Sequence, residues 1–386
     1  MSLLKEFINN IEGGENFTNV KNALEKKGLV VKENENLYLI KYDRNKCNID
    51  SDLLRQSRGI ILEKNTNKII CYPLDGAIEK NIFKTKNNWN DIVVEKSIDG
   101  TLINIYYYSG KWNVSTKSVI DGNCYWNNEQ RTFKQLFEEV LESLNFNYDL
   151  LDNSLNYSFV LCHPKERNVT KYEEAKIYHI SSRNIHTLRE CDINIGIPKP
   201  EILKLDNFNL LNVNSYTDLE NSLKDLDYSQ EGYMLYTKNR MERVKFKGIK
   251  HCYVKELKGN HPNTLFHLLE IRLNENKLKD FLRYFPEYFE LATNIEVAID
   301  ELSQAILFFY TKTKKNKENI EIPKLYQKPI IELHQEYLKL MDRYNPKKHS
   351  YKPSITLPKI IHYLNYEIEV KYLYHLITFH DKDQSK

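Results

Sequence analysis

The chain has 386 residues, of which 41% are hydrophobic and 28% are charged, proportions that exclude wholesale disorder and fibrous repeats. This length favours two or three domains. A formal net charge of +3, from 56 basic and 53 acidic residues, argues against a globally basic nucleic-acid binder, so any such surface has to be local.

The N-terminal segment MSLLKEFINNIEGGEN lacks the basic region and apolar core of a signal peptide. No stretch approaches 18 uncharged apolar residues, so we expect a cytoplasmic protein without a membrane segment. The six cysteines are scattered singly, without a CxxC pair or clustered histidines, which argues against a structural zinc site.

Short alternating runs rich in Val, Ile and Tyr, bounded by turn residues, dominate the chain up to about Leu257 and predict antiparallel strands and hairpins. They are LYLIKY (37 to 42), RGIILEK (58 to 64), KIICYPL (68 to 74), VVEK (93 to 96), INIYYY (103 to 108), KWNVSTK (111 to 117), YSFVLCH (157 to 163), KIYHISS (176 to 182), GYMLYTK (232 to 238) and RVKFKG (243 to 248). Two amphipathic helices are predicted among them, at residues 132 to 144 and around 215 to 226.

Helical periodicity begins after Gly259 and continues to the C-terminus, with polar loops between the helices. We therefore predict an α+β chain with an antiparallel-sheet domain over residues 1–258 and an all-helical domain over residues 259–386. A basic polar loop is expected at residues 310 to 319.

Several motifs follow one another in a fixed order: Arg58-Gly59 on a strand, then Lys96 before Asp99-Gly100, then Glu231-Gly232, then the run VKFK. Each motif alone is weak, since a lysine near an Asp-Gly turn is usually an ordinary solvated residue. Their order resembles that of the covalent nucleotidyltransferases, and specifically the bacteriophage T4 RNA ligase 1 family. The resemblance extends from about Leu37 to Lys247.

The resemblance implies an antiparallel-sheet nucleotidyltransferase fold, ATP-grasp-like, and the use of ATP and Mg²⁺. It also implies a role for each matched residue. The implied roles are Lys96 as the lysine that attacks ATP; Arg58, Lys117, Glu231, Lys245 and Lys247 in nucleotide binding; Glu231 as the metal ligand; and Glu95, Asp99, Gly100 and Gly232 as supporting residues.

The chemistry of such a site is consistent with these residue types. A lysine has to lose its proton before it attacks phosphorus, and burial beside other cations lowers its pKa. In VKFK, strand alternation places Lys245 and Lys247 on one face and Phe246 on the other. Both ammonium groups can therefore point into one pocket.

The spacing at the expected nucleophile departs from the family pattern KxDG. Two residues, Ser97 and Ile98, separate Lys96 from Asp99-Gly100, so the nucleophile position counted back from Asp-Gly holds Ser97. In one interpretation a bulge keeps Lys96 facing the phosphates. In the other, Ser97 replaces the lysine and the covalent chemistry is lost, because a one-residue shift turns a strand side chain to the opposite face.

Two further positions depart from the family. Asp75-Gly76-Ala77-Ile78 stands where the family carries a basic and aromatic pair, and Val160 stands where a glutamate is expected on the central strand. Both changes count against full activity.

Local basic runs interleaved with rings suit RNA binding. They lie at residues 84 to 89, 163 to 171 and 247 to 258, with Trp89, His163, Tyr172, His251 and Tyr253 beside or within them. We therefore predict an ATP-dependent RNA ligase that joins RNA 5′-phosphate and 3′-hydroxyl ends through a lysyl-AMP intermediate, as in RNA repair. The alternative is a catalytically inactive, ligase-like RNA- or protein-binding subunit of an RNA-processing assembly. A capping guanylyltransferase or a DNA ligase is disfavoured, because helices rather than a small β-barrel follow Lys247.

Overall fold

The computed structural model describes residues 3–43, 52–125, 130–259, 261, 263–347 and 350–384, with side chains up to residue 380. The chain divides into two compact units, Met1–Glu256 and Leu257–Lys386. This division lies two residues before the boundary predicted from the sequence.

The strands of the described residues belong to the first unit. In chain order they are β1 (Leu29–Glu33), β2 (Leu37–Tyr42), β3 (Arg58–Glu63), β4 (Ile69–Cys71), β5 (Ile92–Lys96), β6 (Thr101–Tyr108), β7 (Lys111–Thr116), β8 (Leu155–Cys162), β9 (Lys176–Asn184), β10 (Glu190–Cys191), β11 (Ile202–Leu205), β12 (Phe208–Asn209), β13 (Gly232–Thr237) and β14 (Arg243–Lys247).

Helices occur in both units. In chain order they are α1 (Leu3–Asn9), α2 (Phe17–Lys26), α3 (Asp52–Gln56), α4 (Lys80–Lys86), α5 (Phe133–Ser143), α6 (Tyr216–Ser222), α7 (Ile249–Lys258), α8 (Thr264–Ile271), α9 (Glu275–Tyr284), α10 (Phe289–Tyr310), α11 (Lys324–Asp342), α12 (Leu357–His362) and α13 (Val370–Gln384).

Three antiparallel sheets make up the first unit, with strand orders β1-β2-β3-β4, β10-β9-β8-β6-β7 and β12-β11-β5-β13-β14. Each sheet buries one apolar face in its own core cluster. The predicted α+β class, with antiparallel sheets followed by a helical C-terminal region, is confirmed.

The helix predicted at residues 132 to 144 forms as α5 because both its start and its buried face are well defined. Thr132 and Gln135 form a capping box at its N-terminus, which satisfies two backbone N–H groups that a helix start leaves open. The apolar face then packs on the second sheet, where the ring centroids of Phe137 and Phe159 lie 5.4 Å apart.

The second unit is helical, as its periodicity predicts, with two differences in detail. The basic segment predicted as a loop continues α10 as a π-helical turn at Thr311–Lys315. The long apolar run after Leu357 is divided into α12 and α13 by a second π-helical turn, Tyr363–Glu367, and the extended residue Ile368. Among the described helices, none is both long enough and apolar enough to cross a membrane.

Candidate active site

The strand β5 runs into the Ser-Ile-Asp-Gly segment without an extra residue. It pairs with β13 in unbroken register from Ile92 to Lys96, and the Ser97 N–H continues the ladder with a 2.9 Å bond to the Gly232 carbonyl. The register shift in this part of the sheet lies in β11, between Ile202 and Lys204. The bulge that would have re-aimed Lys96 is therefore not formed in β5.

The register decides which side chains share a face. Glu95 pairs with Met234, which pairs with Lys245, so Glu95, Ser97 and the β14 lysines lie on one face of the sheet. Lys96 pairs with Tyr233, which pairs with the fully buried Phe246 on the opposite face.

This geometry corrects the predicted position of Lys96. The Lys96 side chain is exposed at the edge of the apolar core face, whereas Ser97 is buried and stands where the attacking lysine was expected. The cause is the period of two along a strand: a difference of one residue turns a side chain to the other face.

Two side chains, those of Ser97 and Lys245, meet at the Glu231 carboxylate. Glu231 Oε2 accepts hydrogen bonds from Ser97 Oγ at 2.9 Å and from Lys245 Nζ at 2.6 Å. Burial alone raises the pKa of Glu231, but the charge and hydrogen bond of Lys245 hold it below its ordinary value. The buried glutamate is therefore an anion that positions one ammonium and one hydroxyl.

Lys247 follows Lys245 on the same face of β14 and is partly buried. Burial lowers its pKa, and the nearby charges of Lys255 and Lys245 lower it further. A lysine in such surroundings yields a neutral amine more readily than an exposed one. Lys247 therefore has the physical character that was predicted for Lys96.

The glycines of the two predicted motifs are required by close backbone approaches. Gly232 has φ of +123°, and a Cβ there would lie 2.1 Å from the Phe246 carbonyl oxygen. A Cβ on Gly100 would lie 2.3 Å from the Leu161 carbonyl oxygen. No larger residue fits either position without a shift of the backbone.

Asp99 is buried beneath the loop that follows β8. Its Oδ2 accepts hydrogen bonds from the backbone N–H groups of Val169 and Thr170, at 3.0 and 2.9 Å. The Tyr172 hydroxyl donates to the Asp99 carbonyl at 2.7 Å. Asp99 thus fastens this loop to the end of the strand that carries Ser97.

Two buried groups near the site, His251 and Glu166, were not predicted from the sequence to have a chemical role. His251, in the first turn of α7, brings its ring to within 4.8 Å of the carboxylates of Asp99 and Glu231. Glu166 lies fully inside and accepts a hydrogen bond from the Thr101 hydroxyl, and burial raises its pKa to about 8. No local spacing could have revealed them, because their neighbours are far away in sequence.

The Arg58-Gly59 motif lies next to Lys117. Gly59 has φ of +91°, and a Cβ on it would lie 3.0 Å from the Cα and carbonyl oxygen of Lys117. The Lys117 Nζ lies 5.8 Å from the centroid of the Tyr42 ring. The predicted RG motif therefore packs its backbone against the end of β7.

The other predicted positions lie as follows. Glu95 forms a buried ion pair with Arg240 from the turn before β14. Gly76 donates its N–H to the Arg55 carbonyl at 2.9 Å, and Val160 lies opposite Leu102 on the face of β8 that turns away from the α5 core.

The five rings proposed for base stacking differ in their exposure. Trp89 packs against Tyr216 with ring centroids 5.2 Å apart, His163 and His251 are buried, and Tyr172 is bonded to Asp99. Tyr253, on α7, is the one of the five that is well exposed. The prediction of an interleaved stacking surface is therefore wrong for the two buried histidines, whereas Trp89 and Tyr172 are half-buried.

Two sequence relatives of this chain are both named as RNA ligases. No protein-family model matches the chain. The chain is 26% identical over 359 residues to an RNA ligase of Rhodothermus phage RM378, covering 77% of this chain and 81% of that protein. It is also 25% identical over 299 residues to a provisionally named bifunctional polynucleotide kinase/RNA ligase of Autographa californica nuclear polyhedrosis virus. That match covers 69% of this chain but only 40% of the viral protein.

A solved structure of a Naegleria gruberi RNA ligase variant with ATP and Mn is 14% identical, with a TM-score of 0.29. The match covers 43% of this chain and half of that chain. This structural likeness is too weak to bear on function.

The antiparallel sheets and the convergence of strand ends on a buried glutamate and two lysines are features of a nucleotidyltransferase. Both sequence relatives carry the name RNA ligase, which supports the resemblance to RNA ligases found in the motifs.

Proposed function

We propose that the chain is an ATP-dependent RNA ligase that joins RNA 5′-phosphate and 3′-hydroxyl ends. The observation that supports this most strongly is the cluster in which the Glu231 carboxylate holds Lys245, with Lys247 beside it on the same strand face. The Lys245 ammonium in this partly buried pocket suits the triphosphate of ATP, whose charge has to be balanced as pyrophosphate leaves.

In this proposal the attacking amine comes from β14 and not from β5. Lys245 Nζ is held by its 2.6 Å hydrogen bond to the Glu231 carboxylate, whereas Lys247 has no such partner among the described residues and burial lowers its pKa. The Lys247 Nζ lone pair forms a bond to the α-phosphorus of ATP. The bond from that phosphorus to the bridging oxygen breaks, pyrophosphate leaves, and the amine proton passes to water.

A divalent metal is the second cofactor that we propose. Glu231, Asp99 and His251 are the residues that would hold it, because their ligand atoms lie within 4.8 Å of one another. When bound, the ion would add positive charge beside the phosphates. Arg58 and Lys117 supply further positive charge in the first unit and are proposed to contact the nucleotide.

A label-transfer experiment tests this proposal. Purified protein is incubated with a divalent metal and ATP labelled at the α-phosphate, denatured, and examined for retained label. We expect label in the wild type and in Lys96→Ala, and no label in Lys247→Ala. Label lost only in Lys96→Ala would contradict the assignment and return the role to Lys96. Sensitivity of the label to acid would identify a bond to nitrogen rather than to a serine oxygen.

A second candidate function is a catalytically inactive, ligase-like subunit that binds RNA or a protein partner. The observation that favours it is Ser97, which places a hydroxyl, already donating to Glu231, where a lysine amine was expected. Absence of label in the wild type with label in Ser97→Lys would support this candidate. Joining of a 5′-phosphorylated RNA to a 3′-hydroxyl end by the wild type would exclude it.

A further inference from the structure

A buried cluster of three ligand groups lies beside the proposed ATP pocket. Asp99 ends the segment after β5, Glu231 precedes β13, and His251 lies in the first turn of α7. One atom from each lies within 4.8 Å of the other two. Asp99 and Glu231 are 4% exposed and His251 is 0% exposed, so these groups share a site shielded from water.

The histidine is the independent sign of a ligand. Its Nδ1 lies 2.9 Å from the Tyr228 carbonyl oxygen, so Nδ1 carries the proton and Nε2 carries the lone pair. Within the part of the chain that the structure describes, the buried Nε2 has no hydrogen-bond partner. Burying an acceptor without a partner is unfavourable. The ring is therefore fixed in the tautomer and orientation of a metal-ligating histidine, with its second nitrogen held by a carbonyl.

Each carboxylate has one oxygen committed to the protein. Asp99 Oδ2 accepts from the backbone of Val169 and Thr170, and Glu231 Oε2 accepts from Ser97 and Lys245. Among the described residues, no hydrogen bond reaches Asp99 Oδ1 or Glu231 Oε1. The remaining oxygens are thus available as ligands while the committed ones fix the orientation of both side chains.

We propose that Asp99, Glu231 and His251 form a binding site for a divalent first-row transition metal, with His251 Nε2 as a direct ligand. Three ligands leave positions open for water or phosphate oxygens. An imidazole with two carboxylates favours ions such as Mn²⁺, Co²⁺ or Zn²⁺, whereas Mg²⁺ prefers oxygen ligands and keeps most of its waters.

The charges near the cluster are of both signs. Lys245 is paired with Glu231 Oε2, and Lys255 and Lys247 also interact electrostatically with Glu231. A divalent ion held by the other carboxylate oxygens and His251 would make the site positive and suited to phosphate. This inference deepens the proposed function, since it relies on that function for the role of the metal but not for its binding.

Binding of Co²⁺ alone, without ATP or RNA, tests the site. We expect one Co²⁺ per chain, detected by calorimetry and by visible absorption bands of the coordinated ion. His251→Gln should weaken Co²⁺ binding at least tenfold, and excess Mg²⁺ should compete poorly. His186→Gln, which changes an exposed histidine in the same unit, is the matched control and should bind as the wild type does.

A second variant guards against a folding defect in His251→Gln. Asp99→Asn keeps an oxygen that can accept from the Val169 and Thr170 N–H groups but removes the anionic ligand, so it should also weaken Co²⁺ binding while keeping the wild-type circular dichroism. Equal Co²⁺ affinity in the wild type and His251→Gln, or no binding in the wild type, would overturn the proposal. Failure of label transfer with normal Co²⁺ binding would instead count against the ligase function alone.

Discussion

The two faces of the sheet segment β5-β13-β14 differ in composition although they belong to the same three strands. One face carries Phe246 and Tyr233 in a dry core, with Lys96 at its exposed edge. The other carries Ser97 and Lys245, joined through Glu231. Residues that are adjacent in the sequence therefore lie in different environments. The face of the sheet on which a lysine lies says more about its role than its place in a motif does.

A cavity in the apolar face should lower the free energy of unfolding more than any other change considered. Phe246→Ala removes a fully buried ring, and we expect the free energy of unfolding to fall by about 3–5 kcal/mol. Urea unfolding followed by tryptophan fluorescence measures this, because all three tryptophans lie in the first unit. Phe208→Ala, at a half-exposed ring in the same sheet, is the control and should cost far less. Equal losses in both variants would show that the two faces do not differ as described.

The buried carboxyl of Glu166, in the loop that follows β8, makes stability depend on pH. Glu166 is protonated in both folded and unfolded chains below about pH 4.5; between that pH and its folded pKa of about 8, only the unfolded chain ionises. The contribution of the neutral carboxyl is therefore fully present in acid and is lost as the pH rises. We expect the wild type to lose ~2–4 kcal/mol relative to Glu166→Gln between pH 5 and pH 8, at about 1.4 kcal/mol for each pH unit.

Urea unfolding at a series of pH values measures the Glu166 effect. Glu142→Gln, at an exposed position in the same unit, is the control and should follow the wild type at every pH. A constant difference between wild type and Glu166→Gln across the range would show that Glu166 ionises in the folded protein as it does in the unfolded chain.

Breaking the ion pair between Lys245 and Glu231 on the polar face should lower the free energy of unfolding by a smaller amount. Lys245→Met leaves the buried Glu231 without its cation, and we expect a loss of about 1–3 kcal/mol, reduced because the lysine is partly exposed. The double variant Lys245→Met with Glu231→Gln removes the unpaired charge and should regain most of that stability. Thermal unfolding of the wild type, Lys245→Met, Glu231→Gln and the double variant measures the coupling. Additive losses would mean that the pair contributes nothing as a pair.

The smallest effect is expected at Lys96. Its side chain is exposed, so Lys96→Ala should change the free energy of unfolding by no more than about 0.5 kcal/mol and leave label transfer intact. A large loss of label with unchanged stability would show that Lys96 reaches the nucleotide in spite of its position on the apolar face.

Much of the fold followed from local patterns. The period of two in GYMLYTK and RVKFKG predicted β13 and β14, and the period near 3.6 at residues 132 to 144 predicted α5 with its cap. The short strands β10 and β12, with two residues each, carry too little periodicity to be predicted. The segment after Tyr310 was predicted as a loop because its lysines and polar residues mask a continuing helical turn.

The candidate site could be predicted only in part, because some of its contacts join residues that are far apart in the sequence. The motifs located Glu231, Lys245 and Lys247, and alternation placed both lysines on one face, as the register shows. The same rule left two interpretations at Lys96, and only the pairing of β5 with β13 could decide between them. His251 was noted as a ring in a basic run, and nothing near it in sequence indicated that it faces two carboxylates.

The sequence by itself determined the fold class, the order of the motifs and the faces within each strand, because these depend on residues a few positions apart. Only the tertiary structure decided that Ser97, and not Lys96, joins Glu231, and that His251 meets Asp99. Those contacts link residues separated by 134 positions in the case of Ser97 and Glu231. Such distances are closed by sheet register and core packing, which no local pattern encodes.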